Sequence, residues 1–160
     1  MDELLQRTAG LPEISLAAGD TLLREGETGD GLWILVSGAL QISKSGIAIT
    51  SISRPGAAIG EISLLLNSAY TATVVASAPS IVRYADDGRA FLASEPAITR
   101  LIAAGLAERL DFATTYLVDL KHQYGDSPGL AMVSEVLDQL THRQGPPARP
   151  GSAREPNPDY

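Results

Sequence analysis

Apolar and polar positions alternate in short runs over the first half of the chain. Thr21-Leu22-Leu23, residues 32–36 and Leu40-Gln41-Ile42 are apolar or alternating stretches. Eight of the 15 glycines lie between Gly19 and Gly60 and separate them. Strand-length runs with turn residues every 8 to 12 positions or so predict a β sandwich or barrel rather than a parallel α/β sheet. Residues 47–52, 71–77 and 80–84 continue the series, the last two joined across Ala78-Pro79. Beyond Asp86-Asp87-Gly88 the period becomes helical, first over residues 89–94 and then in a long segment that opens at Pro96. Proline is well tolerated in a first helical turn.

Along that long helix of roughly 27 residues, Ala103, Leu106, Leu110, Ala113, Leu117, Leu120 and Tyr124 recur at alternating steps of three and four. They share one seam, and a seam needs a partner. It either packs on its own β domain or pairs with a second copy. About three heptads of repeat favour the coiled-coil dimer. Tyr124-Gly125-Asp126-Ser127-Pro128 ends the helix, and a last amphipathic helix is predicted over about 128–142, with Leu130, Val133, Val136, Leu137 and Leu140 on its apolar face. Five of the ten prolines fall in the final 15 residues, so that stretch builds no packed core. The chain thus divides into a β domain with its long helix over 1–124, a helical extension over 125–143 and a Pro-rich tail over 144–160, predicted to be disordered.

Composition narrows the function. A chain of 160 residues with 12 Lys and Arg against 19 Asp and Glu carries a formal charge of −7, which argues against a surface built to wrap nucleic acid. No run approaches the roughly 20 apolar residues of a membrane helix, and the acidic start Met1-Asp2-Glu3 is unlike a signal peptide, so a cytoplasmic protein is expected. Without cysteine there are no thiolate ligands or thiol nucleophiles. The two histidines, His122 and His142, form no metal or triad constellation, and Asp86-Asp87 reads as turn chemistry. Neither an enzyme nor a metal site is expected, and Trp33 is read as core.

Candidate chemistry concentrates in one stretch, Gly60-Glu61-Ile62-Ser63-Leu64-Leu65-Leu66-Asn67-Ser68-Ala69-Tyr70-Thr71-Ala72-Thr73-Val74. A glycine, an acid and an apolar helical turn, followed by a small polar loop and a strand, would aim main-chain N–H groups from a helix start at an anion. Many such junctions only turn the chain, so on local physics both readings stand.

The stretch resembles the phosphate-binding cassette of the cyclic nucleotide-binding domain. Upstream, Gly19-Asp20-Thr21-Leu22, Glu25-Gly26-Glu27, Asp30, Leu32-Trp33-Ile34-Leu35 and Ser37-Gly38-Ala39-Leu40 follow that family's pattern in order. The likeness covers about residues 15 to 124. It implies an α+β fold: an antiparallel β-roll of the jelly-roll type with a short cassette helix, a short B helix and a long C helix, here followed by an extra C-terminal helix. It also implies a cyclic nucleotide ligand, cAMP or cGMP, and assembly as a dimer or regulatory subunit.

Carried over by position, the resemblance makes Glu61 the acceptor for the ribose 2′-hydroxyl and turns the amides around Gly60, Ile62 and Ser63 towards the cyclic phosphate. Thr71, next to Ala72, matches a hydroxyl residue that touches phosphate or a guanine amino group. Arg109 matches a partner of the cassette acid, and Thr114 a base-contacting hydroxyl. The family's arginine, however, is replaced by Tyr70, a single neutral hydrogen-bonding group in place of a charged fork of donors. Arg54 and Arg83 are nearby cations, and the sequence does not show whether either points inward. Transcription regulators of this family carry a helix-turn-helix after the C helix. The 36 residues after Tyr124 leave room for one helix before the Pro-rich end, so direct DNA binding is not expected. The expected function is a homodimeric cyclic nucleotide sensor, the C-terminal helix serving as lid, dimer element or protein-docking surface. The alternative is a degenerate β-roll acting as a dimerising adaptor or binding an atypical ligand.

Overall fold

The computed structural model describes residues 3–124 and 131–142. In chain order the elements are α1 (Glu3–Arg7), β1 (Glu13–Leu16), β2 (Thr21–Leu23), β3 (Leu32–Ser37), β4 (Leu40–Lys44), β5 (Ile47–Ile52), β6 (Ala58–Ile59), α2 (Glu61–Leu66), β7 (Thr73–Ala76), β8 (Ser80–Ala85), α3 (Gly88–Ser94), α4 (Pro96–Tyr124) and α5 (Ala131–His142). The strands form two four-stranded sheets, ordered β1-β8-β3-β6 and β2-β7-β4-β5, with every pairing antiparallel. This is the expected jelly-roll-like β-roll.

Side-chain alternation on β3 explains its unbroken Leu-Trp-Ile-Leu run. Trp33 and Leu35 point between the sheets, into a core shared with Leu23, Leu40, Ile59, Tyr70, Val74, Ala76 and Val82. Leu32 and Ile34 point the other way, into a second core with Ala85 of β8 and with Leu4, Leu64, Leu92, Ile98 and Ile102 from the helices. A strand covered on both faces reads as continuously apolar. The strand β5, by contrast, is a sheet edge with Ile47 and Ile49 exposed. Its hairpin to β4 closes through Ser45 (φ 50°) and Gly46 (φ 77°), two positive-φ residues between the paired Lys44 and Ile47. A two-residue turn of that hand matches strand twist.

Several boundaries differ from expectation. Thr71 and Ala72 lie outside any strand, and β7 is confined to Thr73–Ala76. The short elements α1, β1 and β6 had no counterpart in the sequence reading. Two residues of strand, or a five-residue helix, leave too few positions for a period to show. Strand β1 does alternate, Glu13-Ile14-Ser15-Leu16, but four positions are too short a run to stand out. The last helix is described from Ala131. The expected start at 128, the helix stop at 125–128 and the tail at 144–160 lie outside the described residues.

The chain divides into two units, residues 1–107 and 108–160. The first holds both sheets, α1 to α3 and the start of α4. In the second, Leu117 and Leu120 of α4 are half-buried, as are Val133 and Leu137 of α5, while Leu110, Tyr124, Val136 and Leu140 are exposed.

Candidate functional site

Strand β6 pairs with β3 through Trp33 opposite Ile59, and the chain then turns at Gly60 into α2. Gly60 has φ 88° and ψ −7°, in the left-handed region. A Cβ there would lie 2.7 Å from the Gly31 carbonyl oxygen, so both the turn and the close approach require glycine. Glu61 opens α2 with only 5% of its surface exposed, Ser63 is equally buried, and Ile62 is half-buried. An acid in the first turn of a helix is favoured by the helix dipole. Leu64 points into the helical core, while Leu65 and Leu66 face solvent. The helix ends at Asn67, also left-handed, where the Asn67 N–H donates to Leu64 and the Ser68 N–H to Ser63 at 3.0 Å. That crossed pair is a Schellman closure.

Gly60, Glu61, Ile62 and Ser63 thus form the turn into α2 and its first residues. Tyr70 lies a short loop away. Its N–H donates to the Glu27 carbonyl at 2.9 Å and its carbonyl accepts from the Gly26 N–H at 2.8 Å, which pins this position to the loop between β2 and β3. Its ring runs into the lumen between the sheets, 8% exposed, with its centroid 6.2 Å from that of Trp33 and tilted by 57°. Trp33 in turn stacks on Tyr84 at 5.3 Å and 23°. The phenol oxygen reaches the loop at Gly29, where a Cβ would stand 2.2 Å from it. A guanidinium would not settle in this apolar core without a counter-charge, whereas a tyrosine gains by filling it.

Thr71 and Ala72 are half-buried beside Tyr70, ahead of β7. The next threonine, Thr73, accepts the Glu25 N–H at 3.0 Å, and the Glu25 carboxylate accepts the Ser45 N–H at 2.7 Å. Arg83 does not point into the lumen. It occupies an outward position of β8, between the lumen residues Val82 and Tyr84. From there it donates to Glu13 at 3.2 Å and to the Leu5 carbonyl. Arg54 is exposed in the connection between β5 and β6. Arg109 and Thr114 belong to the second unit. Arg109 is exposed, and the Thr114 hydroxyl donates to the Leu110 carbonyl of its own helix at 2.8 Å.

Two residues given no site role from the sequence also meet here: Asp30, noted there only within the family pattern, and Arg89. Asp30 accepts from Arg89 Nε at 2.6 Å, and its main-chain carbonyl accepts the Gly88 N–H at 2.7 Å. Arg89 Nη1 reaches the Leu64 carbonyl at 3.3 Å. The spacing Gly29-Asp30-Gly31 was the available signal, since two glycines around an acid mark a backbone packed closely on its neighbours. Tyr84 donates to Asp86 at 2.8 Å. That hydrogen bond, then burial, then the charges of Asp86 and Tyr70 hold its phenol above the usual range. Among the described residues no cluster of His, Asp and Glu is arranged to hold a metal ion, and no single helix is long and apolar enough to cross a membrane.

Comparison with known proteins agrees with this geometry. The chain is 36% identical over 72 residues to a cAMP-dependent protein kinase regulatory subunit of Yarrowia lipolytica, a match that covers 45% of this chain and 19% of the relative. It is 30% identical over 144 residues to a CRP-like cAMP-activated global transcriptional regulator of Mycobacterium tuberculosis, covering 86% of this chain and 62% of that one. It therefore spans less than two thirds of either protein. Among solved structures, one described as cAMP bound PfPKA-R (141-441) superposes with a TM-score of 0.54 at 29% identity, over 69% of this chain and 37% of the other. The sequence profile of the cyclic nucleotide-binding domain matches residues 13–92, the span that holds both sheets, the cassette helix and most of α3, and the chain belongs to that family.

Proposed function

We propose that this chain is a regulatory cyclic nucleotide sensor, with cAMP or cGMP held at the cassette and occupancy passed to α3 and α4. The reading is carried by Glu61, a buried carboxylate at the start of α2 behind a left-handed glycine. A carboxylate there accepts well from a sugar hydroxyl, and the adjoining main-chain N–H groups of a helix start favour an anion. Thr71 and Ala72 would border the phosphate, Arg109 would pair with Glu61, and Thr114 would meet the base. Two copies would join along α4, α5 would offer a docking surface to a protein partner, and the protein would work in the cytoplasm without catalysing a reaction. Transmission would be a population shift, in which ligand binds one placement of the helices better than another.

One observation favours a second reading. Tyr70 fills the lumen where the family's arginine would reach for phosphate, and its ring is packed on Trp33. A roll closed in this way would serve as a dimerising adaptor or take an atypical ligand. Titration calorimetry with cAMP and with cGMP, each to millimolar concentration, separates the two. Saturable heat with either nucleotide supports the sensor, and silence with both supports the adaptor.

A further inference from the structure

The three residues 29–31 run between three parts of the first unit. Gly29 lies against the Tyr70 hydroxyl, and the Gly31 carbonyl lies against Gly60 at the start of α2. Between them, Asp30 holds the start of α3 twice, by its carbonyl to the Gly88 N–H at 2.7 Å and by its carboxylate to Arg89 Nε at 2.6 Å. Arg89 then uses a second nitrogen on the Leu64 carbonyl at 3.3 Å, beside the Schellman closure of α2. Gly88 is packed so tightly that a Cβ would come within 2.6 Å of both the Asp30 carbonyl oxygen and Leu64 Cδ1.

We propose that Asp30 and Arg89 are positioning residues that clamp the cassette helix α2 to α3, so that the two helices loosen together rather than separately. The clamp is a property of the chain itself, and only its use in signalling rests on the sensor reading above. Guanidinium suits the role because its planar fork satisfies a carboxylate and a carbonyl at once, where an ammonium offers a point charge. Both partners are partly exposed, with side chains 39% and 55% accessible, so the pair adds little to global stability. Its effect falls on local opening, which amide exchange reads residue by residue.

The test is hydrogen–deuterium exchange on the full chain without nucleotide, comparing wild type with Asp30→Asn, Arg89→Ala, Arg89→Lys and the Asp30→Asn/Arg89→Ala double variant, with urea unfolding run in parallel. Asp30→Asn should raise exchange by about two- to fivefold over residues 61–68 as well as 88–94, although the Asp30 carboxylate itself bonds to α3. Arg89→Ala should do the same. The double variant should exceed neither single one, and Arg89→Lys should restore only part of the protection. Exchange in α2 unchanged by Asp30→Asn, or additive effects in the double variant, would overturn the clamp. Because no ligand enters the experiment, it can succeed or fail independently of the nucleotide titration.

Discussion

Tyr70 is fixed at both its backbone and its ring. Its main-chain bonds to Glu27 and Gly26 hold the position in place, while the ring joins the core between the sheets, at the position where the proposed sensor reading would put a phosphate-binding arginine. Tyr70→Arg should therefore raise affinity for cyclic nucleotide by a decade or more, since a charge-assisted pair contributes about 1.5–3 kcal/mol. Calorimetry on the variant beside wild type checks this, and no gain would mean that the cassette has lost more than its arginine. Tyr84 supports a pH test. Its phenol, bonded to Asp86, has its pKa raised in the folded state, so the folded protein holds that proton more tightly than the unfolded chain. The resulting stability is fully present below the ordinary tyrosine range and is lost as pH climbs through the raised value. Urea melts of wild type and Tyr84→Phe across alkaline pH should show the wild type losing its margin over the variant. Parallel curves would remove Tyr84 from the alkaline response.

At the scale of elements, what the sequence made legible follows from the number of positions each element offers. Strand β5 and the helices α3 and α4 fell close to their expected bounds because alternation or a long helical period fixed them. The cassette was found through its glycine, its acid and its likeness to a family. Its contacts were not legible, because Asp30 and Arg89 are 59 positions apart and no local period connects them. The inward turn of Tyr70 was equally hidden, because packing between the sheets decides where the ring goes. The direction of Arg83 was equally open in the sequence, and strand alternation sends this nearby cation to the outer face. The start of α2 is sensitive to a single change. Gly60→Ala places a Cβ in the left-handed region and drives it onto the Gly31 carbonyl. The conformational cost alone is about 1–2 kcal/mol. Denaturant unfolding should record at least that loss, with any nucleotide affinity falling alongside it. A fully stable Gly60→Ala would show that the turn tolerates a side chain and that the glycine is not what shapes the cassette.

Across the whole molecule, the distribution of apolar surface bears on assembly. The long helix leaves Leu110 50% and Tyr124 55% exposed, both on the heptad seam, while Leu106, Leu117 and Leu120 on the same seam are half-buried. Outside that seam Phe112 and Tyr116 are also open, one helical turn apart. Large apolar side chains grouped along one helix mark a surface that gains by being covered. A seam of alternating three- and four-residue steps suits a second copy of the same helix better than a flat sheet, because each side chain then drops into a gap between four others. If α4 pairs with α4, a carboxylate at its centre would be buried against its own copy, like charge facing like charge. Leu110→Glu should then convert a sedimenting dimer to monomer while circular dichroism keeps the helical content unchanged. A dimer that survives the substitution, or a wild type that sediments as a monomer at the highest soluble concentration, would send the seam back to covering surface within one chain.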